Sequence, residues 1–455
     1  MAFIKRLRAF LHSTPTRLIV GYYFLFTVGF AVLLWLPFSL KDGADISFLD
    51  ALFVSTSGLS NTGLSPITPV DTFSVPGIII LAANLQIGGL GLMMLSTAIW
   101  LLAGHKITLR ERALIMTDQN QINLSGCVQL VRSVLISFLV VELIFMTILS
   151  HYYYFAGYFP DYSEAWLQGF FTTISAITNS GFDITGASLM IFKNDYFVQC
   201  MHMFLMFFGA MGFPVILDIK RYIKARRSGE RFRFSVYTKM TMFTMVALWV
   251  IGIFGVYIFE YDNFLADKGL VEGFFAATFQ SLSTRNAGFA TFDMNEFSTP
   301  TLLMFSWLMI IGSSPNSSGG GIRTTTFAIM ILAIISFARG KEYVNVYNRE
   351  ISTTTVYRSF MIFIVAILIV SLATLLITVT DPFSYLQVFF EVSSAFGTTG
   401  LSMGITAGLS AFAKLVLIAT MFIGRIGIIA FLMTFRANNS TQTKVRYPQT
   451  EIIIG

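Results

Sequence analysis

The chain has 455 residues, of which 55% are apolar and only 12% charged, against roughly 25% charged in an ordinary soluble protein. That balance excludes a soluble globular enzyme and makes lipid the solvent to reason with. Two cysteines, Cys127 and Cys200, exclude a disulfide scaffold and a multi-cysteine metal cluster.

The first 17 residues are basic (Lys5, Arg6, Arg8, Arg17) and lead into a full-length apolar stretch with no clear small-residue cleavage site, so a retained first span is expected rather than a removed leader. A helix needs about 20 apolar residues to cross a bilayer. Eight stretches qualify: 18–37, 75–103, 129–151, 197–217, 240–259, 301–336, 359–379 and 411–435. Four shorter segments lie between them, at 46–58, 164–177, 270–283 and 384–396. Each is too short to span and ends in small polar residues. Irregular backbone at membrane depth survives only where protein or water surrounds it, so these segments read as re-entrant helices.

The expected fold is therefore an all-α integral membrane protein: four repeats of span, re-entrant pore helix and span around a pseudo-fourfold pore. The repeats are 18–103, 129–222, 236–338 and 357–436, between a tail at 1–17 and a tail at 437–455. The re-entrant segments end in register. They read Ser57-Gly58-Leu59-Ser60-Asn61-Thr62-Gly63, Ser175-Ala176-Ile177-Thr178-Asn179-Ser180-Gly181, Leu282-Ser283-Thr284-Arg285-Asn286-Ala287-Gly288 and Ser394-Ala395-Phe396-Gly397-Thr398-Thr399-Gly400. The final glycines are 118, 107 and 112 residues apart, Asn or Thr stands two positions before each, and a large apolar residue follows each. A helix cap explains one such ending but not four in register.

The tails and the loops joining one repeat to the next hold 22 of the 30 Lys and Arg, which places both termini in the cytoplasm. The stretches containing the short helices hold 4 basic and 16 acidic residues, a field that gathers cations at an outer mouth. A dehydrated cation needs oxygens in place of its water, and loop carbonyls supply them without burying fixed charge. Glycine lets the backbone turn them inward, and the C-terminal ends of the short helices favour a cation.

The sixth stretch is broken by Gly312-Ser313-Ser314-Pro315-Asn316-Ser317-Ser318-Gly319-Gly320-Gly321. Pro and three consecutive Gly are poor helix formers; the segment is read as a mobile polar gate beneath the loops, against a bare bend between half-helices. Arg425, inside the last stretch, is costly at that depth and is a functional candidate, expected to hold the gate loop and set a positive barrier. Arg323 is expected only to snorkel or cap. His12, His105, His151 and His202 have no metal-ligand spacing, and the glycine run lacks the Gly-Lys-Ser/Thr ending of a phosphate loop. Gly88-Gly89-Leu90-Gly91 lies in a span and reads as close helix packing. Glu142 and Asp218 read as paired or interfacial groups, a proton relay being the weaker alternative. The basic run Lys220–Arg227 reads as an anchor on anionic lipid or a dock for a cytoplasmic regulator. Nucleic acid is not an expected partner.

The repeats and loops, with Gln86-Ile87-Gly88-Gly89-Leu90-Gly91-Leu92, Thr284-Arg285-Asn286-Ala287-Gly288-Phe289 and the ending Tyr447-Pro448 to Ile452-Ile453-Ile454-Gly455, resemble the Trk/Ktr/HKT superfamily of cation uptake proteins. The chain looks most like the membrane subunit of a bacterial Ktr system (KtrB type). The resemblance implies a cation-binding filter at Asn61, Thr62, Gly63, Thr178, Asn179, Ser180, Gly181, Arg285, Asn286, Ala287, Gly288, Gly397, Thr398, Thr399 and Gly400, with residues 312–321 and Arg425 as the gate. It implies K+ as the transported ion (with Rb+ and some Na+), Gly63 going with potassium permeation where Ser often goes with sodium. It also implies a homodimer in a bacterial plasma membrane. No cofactor is expected in this chain; ATP or ADP is expected on a ring of soluble regulatory subunits (KtrA type). The competing reading is an ion-coupled carrier, a Na+/K+ or H+/K+ symporter with alternating access.

Overall fold

The computed structural model describes residues 15–91 and 127–434. Lys5, Arg6, Arg8, the part of 75–103 beyond Gly91 and the tail at 437–455 lie outside the described residues. The first unit holds α1 (Pro15–Trp35), α2 (Phe48–Ser60) and α3 (Val75–Leu90). The second holds α4 (Cys127–Phe155), α5 (Tyr162–Ile177), α6 (Tyr196–Ala210) and α7 (Phe213–Arg227). The third holds α8 (Val236–Phe259), α9 (Leu270–Ser283), α10 (Thr299–Ile310) and α11 (Thr324–Ala338). A two-stranded antiparallel hairpin, β1 (Val344–Val346) and β2 (Arg349–Ile351), leads to the fourth: α12 (Thr353–Thr380), α13 (Tyr385–Gly397), α14 (Ala411–Ile426) and α15 (Ile428–Thr434).

The opening helix of each unit, α1, α4, α8 and α12, is long and apolar enough to cross a membrane unbroken. Phe24 and Leu25 on α1, Phe254 and Ile258 on α8, and Leu368 and Leu372 on α12 are exposed, as a lipid-facing surface requires. The short helices α2, α5, α9 and α13 instead bury their polar ends: Ser57, Ser175, Ser283 and Ser394 are inaccessible. Packing between units runs in a circle. The closing helices α3, α6, α10 and α14 pack on α5, α9, α13 and α2, the short helix of the next unit in each case. A fourfold arrangement of span, re-entrant helix and closing helix follows.

One expectation needs correcting. The stretches 197–217 and 411–435 are not continuous spans. α6 and α7 meet at 102°, and α14 and α15 at 104°. The hinges are Gly212 (φ 91, ψ 140) and Gly427 (φ 91, ψ 146), and α3 stops at Gly91 in the same conformation (φ 87, ψ 138). That region is open to glycine and closed to a helix. Three positions earlier stand Gly88, Gly209 and Gly424, where an added Cβ would strike Leu59 O, Ile177 O and Phe396 O. The shared Gly-x-x-Gly step therefore seats α3, α6 and α14 each against the end of its own short helix and then ends the helix. In the third unit the loop beginning at Gly312 makes the break.

Candidate functional site

The four loop endings meet one another. A Cβ on Gly63 would strike Ser180 O, on Gly181 Ala287 O, on Gly288 Thr399 O, and on Gly400 Thr62 O. Each glycine thus abuts the carbonyl just before the next unit's glycine, and the sequence of contacts closes on itself after the fourth. Only a common centre permits that closure. The glycines have φ 96, 68, 75 and 102, and two positions earlier Asn61, Asn179, Asn286 and Thr398 also have positive φ, at 55, 54, 89 and 52. Asn tolerates this conformation because its short polar side chain bonds locally. Thr, being β-branched, pays more.

The helix ends set these turns. Thr62 N–H donates to Ser57 O at 2.8 Å, Ser180 N–H to Ser175 O at 2.9 Å, and Thr399 N–H to Ser394 O at 2.9 Å, closing the last turn. Buried hydroxyls hold the rest: Gly63 N–H donates to Ser57 Oγ at 3.0 Å, Gly400 N–H to Ser394 Oγ at 2.9 Å, and Ser175 Oγ donates to Phe182 O at 2.6 Å. In the third loop Ser283 Oγ donates to Phe289 O. These serines carry no role in the sequence reading, although three stand six residues before their glycine.

Residues 312–321 lie against the third and fourth loop endings, bonded to the ends of the bent helices around them. Ser318 Oγ donates to Gly209 O at 2.9 Å, Ser314 N–H to Ala210 O at 3.3 Å, and Gly321 N–H to Gly424 O at 3.2 Å. Phe213 N–H donates to Asn316 O at 2.6 Å. The segment therefore satisfies carbonyls freed where α6 and α14 end. The glycines let it fit: a Cβ on Gly319 would strike the Asn286 side chain, and one on Gly320 would lie 2.7 Å from Thr398. Ser313 and Ser317 hydroxyls share a hydrogen bond at 2.6 Å within it.

Three arginines converge on this segment. Arg425, 8% exposed, donates to Ser318 O and to Gly88 O, tying the second-unit side of the loop to the first unit. Arg285 is fully buried and turns its side chain away from the loop contacts, donating to Leu308 O at 2.8 Å and Gly312 O at 2.6 Å. Arg323 is more than a snorkelling residue. It donates to Gly319 O, and at 3.4 Å to Ser313 Oγ and Ser314 O. A cavity of about 390 Å³ opens on the far side of the segment, and Arg323, Arg358 and Arg425 line it. Gly397, the earliest predicted residue of the fourth loop, is the last residue of α13. Glu142 is paired, accepting from Gln86 Nε2 at 2.7 Å.

The family model described as TrkH, cation transport protein, matches residues 9–444. The chain is 46% identical over 442 residues to Ktr system potassium uptake protein D of Bacillus subtilis, covering 97% of both chains. It is 35% identical over 432 residues to Ktr system potassium uptake protein B of Vibrio alginolyticus, covering 93% of this chain and 91% of that one. The potassium transporter TrkH from Vibrio parahaemolyticus has the same fold, with a TM-score of 0.71 at 18% identity over 93% of this chain and 85% of that chain. These relatives are transporters rather than enzymes, and the chain belongs to the TrkH family of membrane-embedded cation transport proteins.

Proposed function

We propose that the chain is the ion-conducting membrane subunit of a potassium uptake system of Ktr type. The observation that carries this reading is the closed circle of contacts from Gly63 to Ser180, Gly181 to Ala287, Gly288 to Thr399 and Gly400 to Thr62. On this reading the carbonyls of Thr62, Ser180, Ala287 and Thr399 form one layer around an axis. Four neutral oxygens replace part of a monovalent cation's hydration shell without binding it too tightly to leave. Positive φ at the glycine and two positions before it alternates the handedness of successive residues, which aligns their carbonyls. Asn61, Asn179, Asn286 and Thr398 extend the filter inward.

Residues 312–321 are the gate. They occupy the centre beneath the loops, and Arg425 and Arg323 hold them while placing positive charge on the path. A mobile plug and a carbonyl filter describe a gradient-driven pore rather than an alternating-access carrier. The cation-gathering face is extracellular and the termini cytoplasmic, with two copies of the chain assembled on a ring of soluble nucleotide-binding subunits that carry ATP or ADP. The names of the Bacillus and Vibrio relatives support potassium as the ion and a multi-subunit system.

Cation competition on Gly63→Ser in liposomes tests the filter. K+ preference over Na+ falls in the variant. Unchanged preference in a well-folded, flux-competent variant removes Gly63 from the filter and the carbonyl layer with it.

A further inference from the structure

We infer that the hairpin of α7 and the start of α8 docks anionic phospholipid headgroups, and that its occupancy displaces the plug. The inference rests on the reading of 312–321 as a gate. α6 has 15 residues, about 22 Å of helix, so Gly212 falls toward one edge of a hydrocarbon layer of about 30 Å. The 102° turn there lays α7 close to the plane of the bilayer.

The composition of α7 suits that position. Arg221, Lys224, Arg226 and Arg227 are exposed, with Tyr222 and Ile223 exposed among them. The returning segment adds exposed Arg231 and Arg233. Glu230 is the single acid between 219 and 234. Among the described residues the hairpin's one ion pair is Arg221 with Asp218 at 3.8 Å, so five of these cations have no carboxylate. Basic residues interleaved with apolar ones on a flat-lying helix form an interfacial surface. An acidic soluble protein would match the charge, but not the exposed Tyr222 and Ile223 at the bilayer edge.

The two limbs of the hairpin are tied together at both ends. Asp218 Oδ2 accepts from Ser235 Oγ at 2.7 Å and Thr238 Oγ1 at 2.6 Å, so α7 caps the N-terminus of α8. At the other end the rings of Tyr222, Phe232 and Phe234 cluster within 5.3–6.2 Å. Both limbs hold the plug. Phe213 N–H at the root of α7 donates to Asn316 O at 2.6 Å, and Tyr237 OH on α8 donates to Pro315 O at 2.6 Å. Headgroup binding that draws the hairpin toward the lipid therefore pulls Pro315 and Asn316 from the centre and raises conduction.

The test compares Rb+ flux in liposomes of phosphatidylcholine alone and with about 30% phosphatidylglycerol, each basic residue near such a surface strengthening attachment by about fivefold. Wild-type flux rises at least about threefold with phosphatidylglycerol, a fraction of the combined attachment energy of several such residues. Combined Lys224→Gln, Arg226→Gln and Arg227→Gln keeps its flux in phosphatidylcholine and loses the rise. Tyr237→Phe retains phosphatidylglycerol in native mass spectrometry as wild type does, yet also loses most of the rise. Equal stimulation of all three proteins reflects cation gathering by the charged membrane and overturns the inference. So does a triple variant that keeps its phosphatidylglycerol response but no longer responds to soluble poly-glutamate, which marks the surface as a protein dock. No wild-type flux in either lipid instead defeats the pore reading itself.

Discussion

Asn286 joins the third loop to the 312–321 segment: its side-chain oxygen accepts the Gly320 N–H at 3.0 Å across 34 residues of chain. Its amide nitrogen donates to the Thr398 carbonyl and, at 3.0 Å, to the Thr398 hydroxyl. One buried side chain thus binds two adjacent loops and the segment beneath them. Asparagine suits the position twice, because it tolerates φ 89 and because its amide both donates and accepts.

Replacing Asn286 with Ala strands the Gly320 N–H and the Thr398 carbonyl, each at a cost of about 1–3 kcal/mol. Resting Rb+ flux rises and K+ discrimination over Na+ falls together. Asn286→Gly, which keeps the backbone conformation, shows the same flux change with a smaller loss of thermal stability. A change in selectivity at constant resting flux would mean that filter and plug are independent.

Arg425→Ala frees the Ser318 and Gly88 carbonyls and, on the proposed gate reading, removes a positive charge from the path, so resting flux rises, as it does on deletion of 313–321. Arg425→Lys separates the two effects. It keeps the charge but lacks the planar fork that reaches two carbonyls, so its flux lies between wild type and Ala. Arg323 bonds the same segment, and the double replacement Arg323→Gln with Arg425→Ala is less than additive. Lower flux from properly inserted Arg425→Ala protein would contradict the gate.

The loop endings were legible in the sequence because positive φ restricts residue choice, and the same restriction recurs at Gly63, Gly181, Gly288 and Gly400. The bends at Gly212 and Gly427 were not, since a glycine within an apolar run leaves its hydropathy high. Their signal was a second register, Gly88 to Gly91, Gly209 to Gly212 and Gly424 to Gly427, visible only once the repeats are aligned on the loops. Arg285 and Arg323 show a different limit. Which way a long side chain turns depends on carbonyls freed elsewhere, at Leu308, Gly312 and Gly319, and no local pattern encodes that.

Ser57 and Ser394 hold the glycine amides of the first and fourth loops. Ser57→Ala leaves the part-buried Gly63 N–H without its acceptor and lowers stability by about 1 kcal/mol, read by thermal unfolding in detergent. Because that amide lies between the loop's two positive-φ residues, Asn61 and Gly63, K+ over Na+ preference in competition assays falls as well. Ser394→Ala behaves alike at Gly400. Selectivity unchanged in both variants would assign the serines to folding alone.

Carboxylates just past two spanning helices clamp the return of the chain. Glu260, the C-cap of α8, accepts from Ser298 N–H at 2.8 Å and Ser298 Oγ at 2.7 Å, at the start of α10. Asp381, the C-cap of α12, accepts from Ser410 N–H at 2.7 Å and Ser410 Oγ at 2.8 Å, at the start of α14. Burial alone pushes the Glu260 carboxyl up, but hydrogen bonds from Ser298, Thr301 and Asn263 outweigh it and hold the group below its ordinary value. Burial likewise raises Asp381, and bonds from Thr380 and Ser410 bring it below. A carboxyl depressed in the folded state stabilises it fully above the ordinary carboxyl pKa, and that contribution is lost as the pH falls through the folded value. Glu260→Gln and Asp381→Asn therefore melt earlier than wild type at pH 7, by an amount equivalent to about 1–3 kcal/mol each. The gap narrows on acidification below about pH 4. Melting differences that stay constant from pH 7 into that acid range would show that shape, not charge, holds the clamps.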